Sequence, residues 1–397
     1  MRALPEAPDR AGAAAHHPRD GTLRGAVAAA EPGRDRPAAR PGAPLPRHPG
    51  DRHLPPGLPA AQPAGQGQEL GGPVPGAGHL PAAGLRADAG IDAALRDLRW
   101  LLLSPPLLAP GRHPAAVQRF DADDAQAISA WLDALARQPA PLAAFLEQIG
   151  PAPLRLGRRA ERLLEFFLRH GPTHRLVAAN LQLRHAPDEQ PGIDHTTRGE
   201  IDFLLEDRAG QGWHWELAVK FFLCTAAGPV ARPADFVGPD RAETLPGKLD
   251  RLFGRQLALT PPPPWDGRDW RPAAYARGWM FYRHDQAVPA CTALAPGHLH
   301  GWWVEHGRLA ELPEGPWLGL PRSRWMAPAR CGDAAALCTR AQIGAAIAAA
   351  WQAPPPPGVR RWPSAQLVAR MAPAGDGGWE EVGRGFVVPD GWADGAR

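Results

Sequence analysis

The stretch GEIDFLLEDRAGQGWHWELAVKFF, residues 199–222, contains two apolar runs separated by a polar, glycine-containing segment. Short runs rich in aromatic and branched residues predict β-strands, and the intervening DRAGQG predicts a turn. We therefore expect a β-hairpin that folds near Ala209 and Gly210. In such a hairpin Asp202 lies roughly opposite Glu216, because both are equally far along the chain from Ala209.

The two acidic residues of this hairpin predict a metal site. Alternate residues of a strand share a face, so Glu216, Ala218 and Lys220 point the same way. Opposed residues have Cβ atoms about 4.5–5.5 Å apart, and two carboxylates that close repel each other unless a cation or a proton joins them. Mg²⁺ held by Asp202 and Glu216 removes this repulsion, since Mg²⁺ takes one or two carboxylates and keeps waters. On the same face, Lys220 can orient a water or neutralise charge on a phosphate.

Lysine and asparagine are almost absent from this chain. Lys220 and Lys248 are the only lysines among 44 basic residues, and Asn180 is the only asparagine. A general bias toward arginine, alanine, glycine and proline explains the scarcity, so a retained lysine indicates a position where arginine does not serve. All three residues lie close to the predicted hairpin in sequence, either for a chemical reason or by chance clustering.

The composition indicates a globular domain preceded by an unfolded segment. Residues 1–92 contain no Phe, Trp or Tyr and are rich in Pro, Ala, Gly and Arg, so they cannot bury enough apolar surface to offset the entropy of ordering. We predict that residues 1–92 are disordered. They either follow from a start codon assigned too far upstream or form a basic tail for nucleic acid. A single domain is expected over residues 93–394.

The overall charge and the cysteines narrow the class of protein. The net charge of +3 permits a DNA or RNA partner without requiring one. No run approaches 18 apolar residues, so we expect no membrane span and a cytoplasmic location. The four cysteines include no C-x-x-C pair, which argues against a zinc knuckle or a redox motif. The oligomeric state has no signature in the sequence.

The order of periodic segments predicts an α/β fold. Helical patterns cover residues 92–108, 121–139, 155–172, 247–259 and 333–353, and a last helix is predicted for WPSAQLVARM, 362–371. Strand patterns cover 174–184, 199–207, 212–223, 276–283 and 299–307, with a short strand pair in 379–392. Helices followed by a strand meander, then a helix and more strands, predict a mixed central sheet flanked by helices, with helical N-terminal and α+β C-terminal additions.

The acidic constellation resembles the PD-(D/E)XK nuclease superfamily, in which an aspartate on one strand and an acidic residue plus a lysine on the next hold Mg²⁺ for phosphodiester hydrolysis. The counterparts here are Asp202, Glu216 and Lys220. A preceding helix often provides a further acid in that superfamily, which corresponds to Glu161 in RLGRRAERLLEFFL. The resemblance implies a restriction-endonuclease-like core and a catalytic set formed by these four residues.

The resemblance also implies substrate contacts outside the hairpin. Lys248 and Gln256 lie on the helix after the third strand, at positions from which related nucleases contact DNA or the site. Asn180 is a further candidate for substrate binding. The alternative for Lys248 and Gln256 is a plain surface role, and Asn180 could serve only the backbone of a strand edge.

A closer resemblance is to a bacterial family known as domain of unknown function 1853. It rests on DLRWLLLSPPLL, RLGRRAERL, NLQLR, GEIDFLL, WHWELAVKFFL, GKLDRLFGRQL, GWW and GFVVPDGW. These motifs extend over residues 93–394 and leave the N-terminal segment unmatched. Membership of that family does not by itself imply an activity.

One spacing departs from the nuclease pattern. The superfamily has one residue between acid and lysine, whereas E-L-A-V-K has three, which separates them by about 13 Å instead of about 6.6 Å. Ala218 stands where the acid is expected. The alternative function is therefore a non-catalytic module that binds nucleic acid or protein. In that case Glu216 and Lys220 form a structural ion pair and Glu161 belongs to a solvated, salt-bridged helix face.

Overall fold

A computed structural model describes residues 90–148, 154–184, 197–353 and 364–396. The predicted disorder of residues 1–92 falls almost wholly outside the described residues and stays a prediction. The helices within these ranges are α1 (Ile91–Leu103), α2 (Ala122–Arg137), α3 (Ala140–Glu147), α4 (Leu156–His170), α5 (Leu245–Arg251) and α6 (Arg340–Gln352). The strands are β1 (Ala116–Val117), β2 (His174–Arg184), β3 (Thr197–Asp207), β4 (Gly212–Cys224), β5 (Phe236–Val237), β6 (Arg271–Arg283), β7 (Leu299–Glu305), β8 (Trp317–Leu320), β9 (Arg330–Cys331), β10 (Gln366–Pro373) and β11 (Trp379–Val388).

Side-chain caps decide where several helices begin. The Asp121 carboxylate accepts a hydrogen bond from the Asp124 amide at 2.8 Å and starts α2. The helix predicted from residue 333 begins later, at α6. Thr339 caps α6 and the Gln342 side chain bonds back to the Thr339 amide, so this capping box sets the boundary.

The strands form one mixed sheet in the order β2-β3-β4-β6-β7-β11-β10-β8. Strands β2, β3 and β4 are an antiparallel meander, whereas β6 lies parallel to β4 and β7 lies parallel to β6. Strand β11 is parallel to β7 and antiparallel to β10. The predicted α/β class and mixed central sheet flanked by helices are confirmed.

Helices cover both faces of the N-terminal half of this sheet. On one face, apolar residues of α1, α2 and α4 pack with Trp215 and Phe203. On the other face, residues from α5 and the segment after it pack against β4 and β6, including Phe222 and Met280. Because both faces are covered, polar side chains of β4 that point toward α5 are removed from water.

The helix predicted for residues 362–371 is wrong. Residues 366–373 form β10, which pairs with β11 on one side and with β8 on the other. Its apolar run is too short to distinguish helical from strand periodicity, and two neighbouring strands supply the hydrogen bonds that a helix would otherwise make internally. The apolar side chains Leu367 and Val368 are buried on opposite faces of the sheet.

No helix in the described ranges combines the length and the apolar character needed to cross a bilayer.

Candidate functional site

The hairpin of β3 and β4 brings Asp202 and Glu216 together. The paired residues run from Glu206–Gly212 to Phe203–Trp215, so Asp202 and Glu216 occupy the next position of this register. There the side chains cross between the strands. The Asp202 amide donates to Glu216 Oε1 at 3.3 Å, and the Leu217 amide donates to Asp202 Oδ2 at 2.8 Å. The opposition expected from the turn position is confirmed.

Glu216 is fully buried and is held by uncharged donors. Its Oε1 lies 2.8 Å from His214 Nε2, two residues earlier on the same strand. Its Oε2 accepts a hydrogen bond of 2.8 Å from Gln256 Nε2, and Gln256 lies in the turn that follows α5. Burial lowers the pKa of His214 to about 4, so the ring is neutral at pH 7, and its Nε2–H donates to Glu216 Oε1 when that carboxyl group is ionised.

The acidic pair is electrostatically unfavourable when both groups are ionised. Burial, followed by the nearby Glu216, raises the pKa of Asp202 well above its usual value, and the charges of Glu161 and Glu200 add to the rise. Burial also raises the pKa of Glu216 to about 8, although the Asp202 amide and Lys248 oppose the rise. A proton or a cation is therefore needed between these carboxylates at neutral pH.

Lys248 reaches the pair through Gln256. Lys248 Nζ donates to Gln256 Oε1 at 3.1 Å, and the same amide group donates to Glu216. Lys248 is 8% exposed. Burial, together with the charge of Lys220, lowers the pKa of Lys248 to about 8. The plain surface role considered for Lys248 and Gln256 is therefore wrong, because both belong to the surroundings of Glu216.

Lys220 has a different partner. Its Nζ donates to Glu243 Oε2 at 2.8 Å, and Arg251 Nη1 lies 3.7 Å from the other oxygen of Glu243. The side chains of Lys220 and Glu243 are 28% and 23% exposed. The alternative in which Glu216 and Lys220 form a structural ion pair is therefore wrong, because Lys220 pairs with Glu243. The long spacing between them leaves the lysine closer to a carboxylate after β5 than to its own strand's acid.

Glu161 and Asn180 share one arginine. Arg158 Nη1 donates to Glu161 Oε2 and to Asn180 Oδ1, at 2.7 Å in both cases. Glu161 is thus salt-bridged on α4, as the structural alternative expects, yet its charge also acts on Asp202. The structure brings Glu161 into the electrostatic surroundings of the pair without a direct hydrogen bond to it.

The single asparagine has a backbone reason. Asn180 has a φ of 54° within β2, and its neighbours Ala179 and Leu181 pair with Phe203 and Ile201. Asn180 therefore lies opposite Asp202 at an irregular position of the strand. Asparagine tolerates the left-handed region better than other residues with a side chain, which explains its retention here.

Sequence reasoning missed His214, Glu243 and Arg251. His214 had a usable signal, since it lies two residues before Glu216 on the same strand face. Glu243 lies 23 residues beyond Lys220, and nothing in the local pattern indicates that pairing.

The carboxylates retain capacity for a hard cation. A carboxylate offers about four lone-pair positions. Glu216 uses three of them for Asp202, His214 and Gln256, and Asp202 uses one for Leu217. In the part of the chain that the structure describes, no group of three or more His, Cys, Asp or Glu side chains is arranged around a metal position. The donor set thus suits an ion that takes two carboxylates and completes its shell with water, as Mg²⁺ does.

One protein family matches this chain. Searches of curated proteins and of solved structures gave no match. The model of one family, described as Domain of unknown function (DUF1853), matches residues 96–388, which is most of the chain and includes the hairpin, α4 and α5. This protein therefore belongs to the DUF1853 family.

Proposed function

We propose that this protein is a Mg²⁺-dependent, nuclease-like hydrolase of phosphodiester bonds, built on a PD-(D/E)XK-type core. The observation that carries the proposal is the convergence of Asp202 and Glu216 at the end of a strand pair, without a cationic side chain bonded to either in the described residues. Buried carboxylates without a cation are costly, so their retention favours a ligand that neutralises them.

The order of elements around the pair supports the same interpretation. Helix α4 carries Glu161, the antiparallel meander β2-β3-β4 carries the two strand acids, and α5 with β6 completes the unit. This agrees with the resemblance to nucleases that use a helix acid, a strand aspartate, and an acid on the adjacent strand. The PD-(D/E)XK assignment rests on this arrangement together with the sequence resemblance.

The chain's own residues would hold and orient the ion. Asp202 and Glu216 would bind Mg²⁺, which stabilises charge on a phosphate oxygen and lowers the pKa of water when bound. His214 and Gln256 hold the Glu216 carboxylate in one orientation from both of its oxygens. Glu161, fixed by Arg158, adds negative charge that favours cation binding at Asp202.

The proposed substrate is DNA or RNA. Phosphodiester hydrolysis requires positive groups near the scissile phosphate, and arginines supply almost all positive charge in this chain. Arg158 on α4 binds Glu161, and Arg251 on α5 lies 3.7 Å from Glu243; their side chains are 45% and 56% exposed. Both are available to a polyanion that approaches the end of the hairpin.

A second candidate is a non-catalytic module that binds nucleic acid or protein on the same fold. The full burial of Glu216 favours this alternative, because a metal site for substrate needs at least one ligand that solvent reaches. Asp202 is partly exposed, so solvent reaches the pair at Asp202 and not at Glu216. The second candidate predicts binding without cleavage.

The test is cleavage of plasmid and single-stranded DNA and RNA by the full chain with Mg²⁺ or Mn²⁺. We expect activity that EDTA removes and that Asp202→Asn lowers by about 100-fold or more, as loss of one electrostatic contact at a reacting centre does. Glu314→Gln is the matched control, since Glu314 is 71% exposed and pairs only with Arg340 among the described residues. Full activity of Asp202→Asn contradicts the proposal, and retention of nucleic acid without cleavage by the wild type supports the second candidate.

A further inference from the structure

The two lysines of this chain stand in different environments. Lys220 lies within β4 and is neutralised by Glu243, which also attracts Arg251. Lys248 lies in α5 and forms no salt bridge with a carboxylate in the ranges that the structure describes. An ammonium buried without a bonded carboxylate is rare and costly. A purely structural role for Lys248 therefore lacks the usual compensation.

Gln256 connects Lys248 to the acidic pair in one orientation. The amide oxygen faces the lysine at 3.1 Å and the amide nitrogen faces Glu216 Oε2 at 2.8 Å. The reversed amide would place its NH₂ group against the ammonium and its oxygen against the carboxylate, so both contacts would become repulsive. The dipole of Gln256 is thus aligned between a cation and an acid.

The helix is deformed where it delivers Gln256. After α5 ends at Arg251, residues Leu252–Gln256 form a π-helical turn. Such turns are rare and occur frequently at functional sites. Eight residues of a straight α-helix rise about 12 Å, and Lys248 and Gln256, eight residues apart, nevertheless hydrogen-bond through their side chains. The π turn ends at the residue that contacts Glu216.

We propose that Lys248, and not Lys220, supplies the positive charge of this centre, and that Gln256 is the positioning residue between Lys248 and Glu216. This inference rests on the proposed function. An ammonium has three N–H donors, and Gln256 accepts one of them. The other two remain for a phosphate oxygen of the substrate. The sequence pattern thus keeps a lysine, but the lysine acts from the following helix and not from the acid's own strand.

The two lysines make the test direct, because each can be removed alone. Cleavage rates and Mg²⁺ binding by calorimetry are measured for the full chain with Lys248→Met, Lys248→Arg, Lys220→Met and Gln256→Met. We expect Lys248→Met to lower kcat by about 100-fold with KM changed less than threefold. Lys248→Arg recovers part of the loss, because it restores the charge. Lys220→Met keeps kcat within about threefold of the wild type.

Mg²⁺ affinity separates a functional role from a structural one. Removing a cation near the acidic pair reduces repulsion of Mg²⁺, so Lys248→Met is expected to bind Mg²⁺ more tightly while it cleaves more slowly. A lysine needed only for folding lowers both quantities when it is removed. Gln256→Met is expected to lower kcat about 10-fold, because Glu216 loses an orienting donor.

The outcomes distinguish this inference from the proposed function. A wild-type protein that cleaves nucleic acid, with Lys220→Met inactive and Lys248→Met active, overturns the inference alone. Weaker Mg²⁺ binding by Lys248→Met, with the fold intact by circular dichroism, also overturns it. A wild-type protein that neither cleaves nor binds Mg²⁺ overturns the proposed function and this inference together.

Discussion

Glu381 on β11 and Glu216 on β4 are both buried carboxylates in one sheet, but their hydrogen-bond donors differ in charge. Glu381 receives two hydrogen bonds from Arg384, at 2.6 and 2.8 Å, and one of 2.8 Å from the Ala329 amide. Glu216 receives its hydrogen bonds from a neutral histidine, a glutamine and a backbone amide. In the C-terminal half of the sheet the buried acid is neutralised by the protein itself.

The charge of the hydrogen-bond donors distinguishes the two acids. A neutralised carboxylate such as Glu381 ties β11 to the segment before β9, since Arg384 also donates to the Ala327 carbonyl and lies over the Trp279 ring. An un-neutralised pair weakens the folded state and persists where a ligand completes it. Glu381 with Arg384 is thus a structural link, and the lack of a bonded cation beside Asp202 and Glu216 among the described residues is what the proposed binding site requires.

The largest expected effect is the loss of stability when Arg384, the cation beside Glu381, is removed. Arg384→Met leaves the Glu381 carboxylate buried without its cation, and loss of one partner of a buried pair costs about 3–5 kcal/mol. We expect the free energy of unfolding to fall by that amount in urea titrations. Arg330→Met is the control, because Arg330 and Asp376 are 42% and 64% exposed and such pairs contribute about 1 kcal/mol or less. Equal losses for the two variants would remove the distinction between buried and surface pairs.

Mg²⁺ is expected to stabilise the folded protein through Asp202 and Glu216. A ligand that binds only the folded state at 100 times its Kd stabilises that state by about 2.7 kcal/mol. We expect Mg²⁺ to raise the Tm of the wild type and to leave Asp202→Asn unchanged. Arg330→Met serves again as the control and should respond like the wild type. A Tm that does not move with Mg²⁺, or that moves equally in Asp202→Asn, argues against the pair as the binding site.

The stability of the metal-free protein should fall as pH rises from 6.5 to 8. The pKa of Glu216 is about 8 in the folded protein and 4.5 in an unperturbed chain, so the folded state binds the extra proton and loses this advantage at higher pH. Below pH 6.5 the buried His174 and His214, with pKa values of about 4, act in the opposite direction, because the unfolded chain takes up their protons.

The change between pH 6.5 and 8 is expected to be about 1–2 kcal/mol, since one proton corresponds to about 1.4 kcal/mol per pH unit, Glu216 is half titrated at pH 8, and the lowered pKa of Lys248 opposes the change. Asp202→Asn removes one of the two carboxyl groups whose pKa is raised in the folded protein and should flatten the profile. Urea unfolding at pH 6.5, 7.2 and 8.0 measures the slope. Parallel profiles for wild type and Asp202→Asn would show that the two carboxyl groups do not interact as described.

The smallest effect is expected at the rim of the site. Glu243→Gln removes the partner of Lys220, and because both side chains are partly exposed the loss should be about 1 kcal/mol or less. Urea unfolding at low and high salt measures it, and salt should reduce the difference from the wild type. A loss above 2 kcal/mol would place the Lys220–Glu243 pair with Glu381 and Arg384 as a structural link.

Glycine at one position ties the site to the sheet. Gly278 on β6 pairs with Lys220 and has a φ of 158°, and a Cβ atom there would lie 1.9 Å from the Lys220 carbonyl oxygen. The close approach of β6 to β4 therefore excludes any side chain. The backbone of Lys220 is fixed by this contact, whatever its side chain does.

Local pattern predicted most of the fold around the site. Strand β2 has the bounds expected from alternation, and β3 and β4 differ from expectation by two residues or fewer at either end. The hairpin register followed from the turn, because side-chain direction alternates and equal distance from the turn sets opposition. The helix predicted for residues 362–371 was wrong because a short apolar run takes its conformation from the strands that pair with it.

Strand periodicity and turn position are local properties, and they were enough to predict that Asp202 and Glu216 oppose each other. Which lysine approaches the pair depends on how distant elements pack. The packing of α5 on β4 buries Glu216 and places Gln256, with Lys248 bonded to it, beside this carboxyl group. Lys220 instead forms an ion pair with Glu243. Burial and long-range charge pairing depend on elements far apart in the chain, and a composition bias can mark a lysine without showing what it meets.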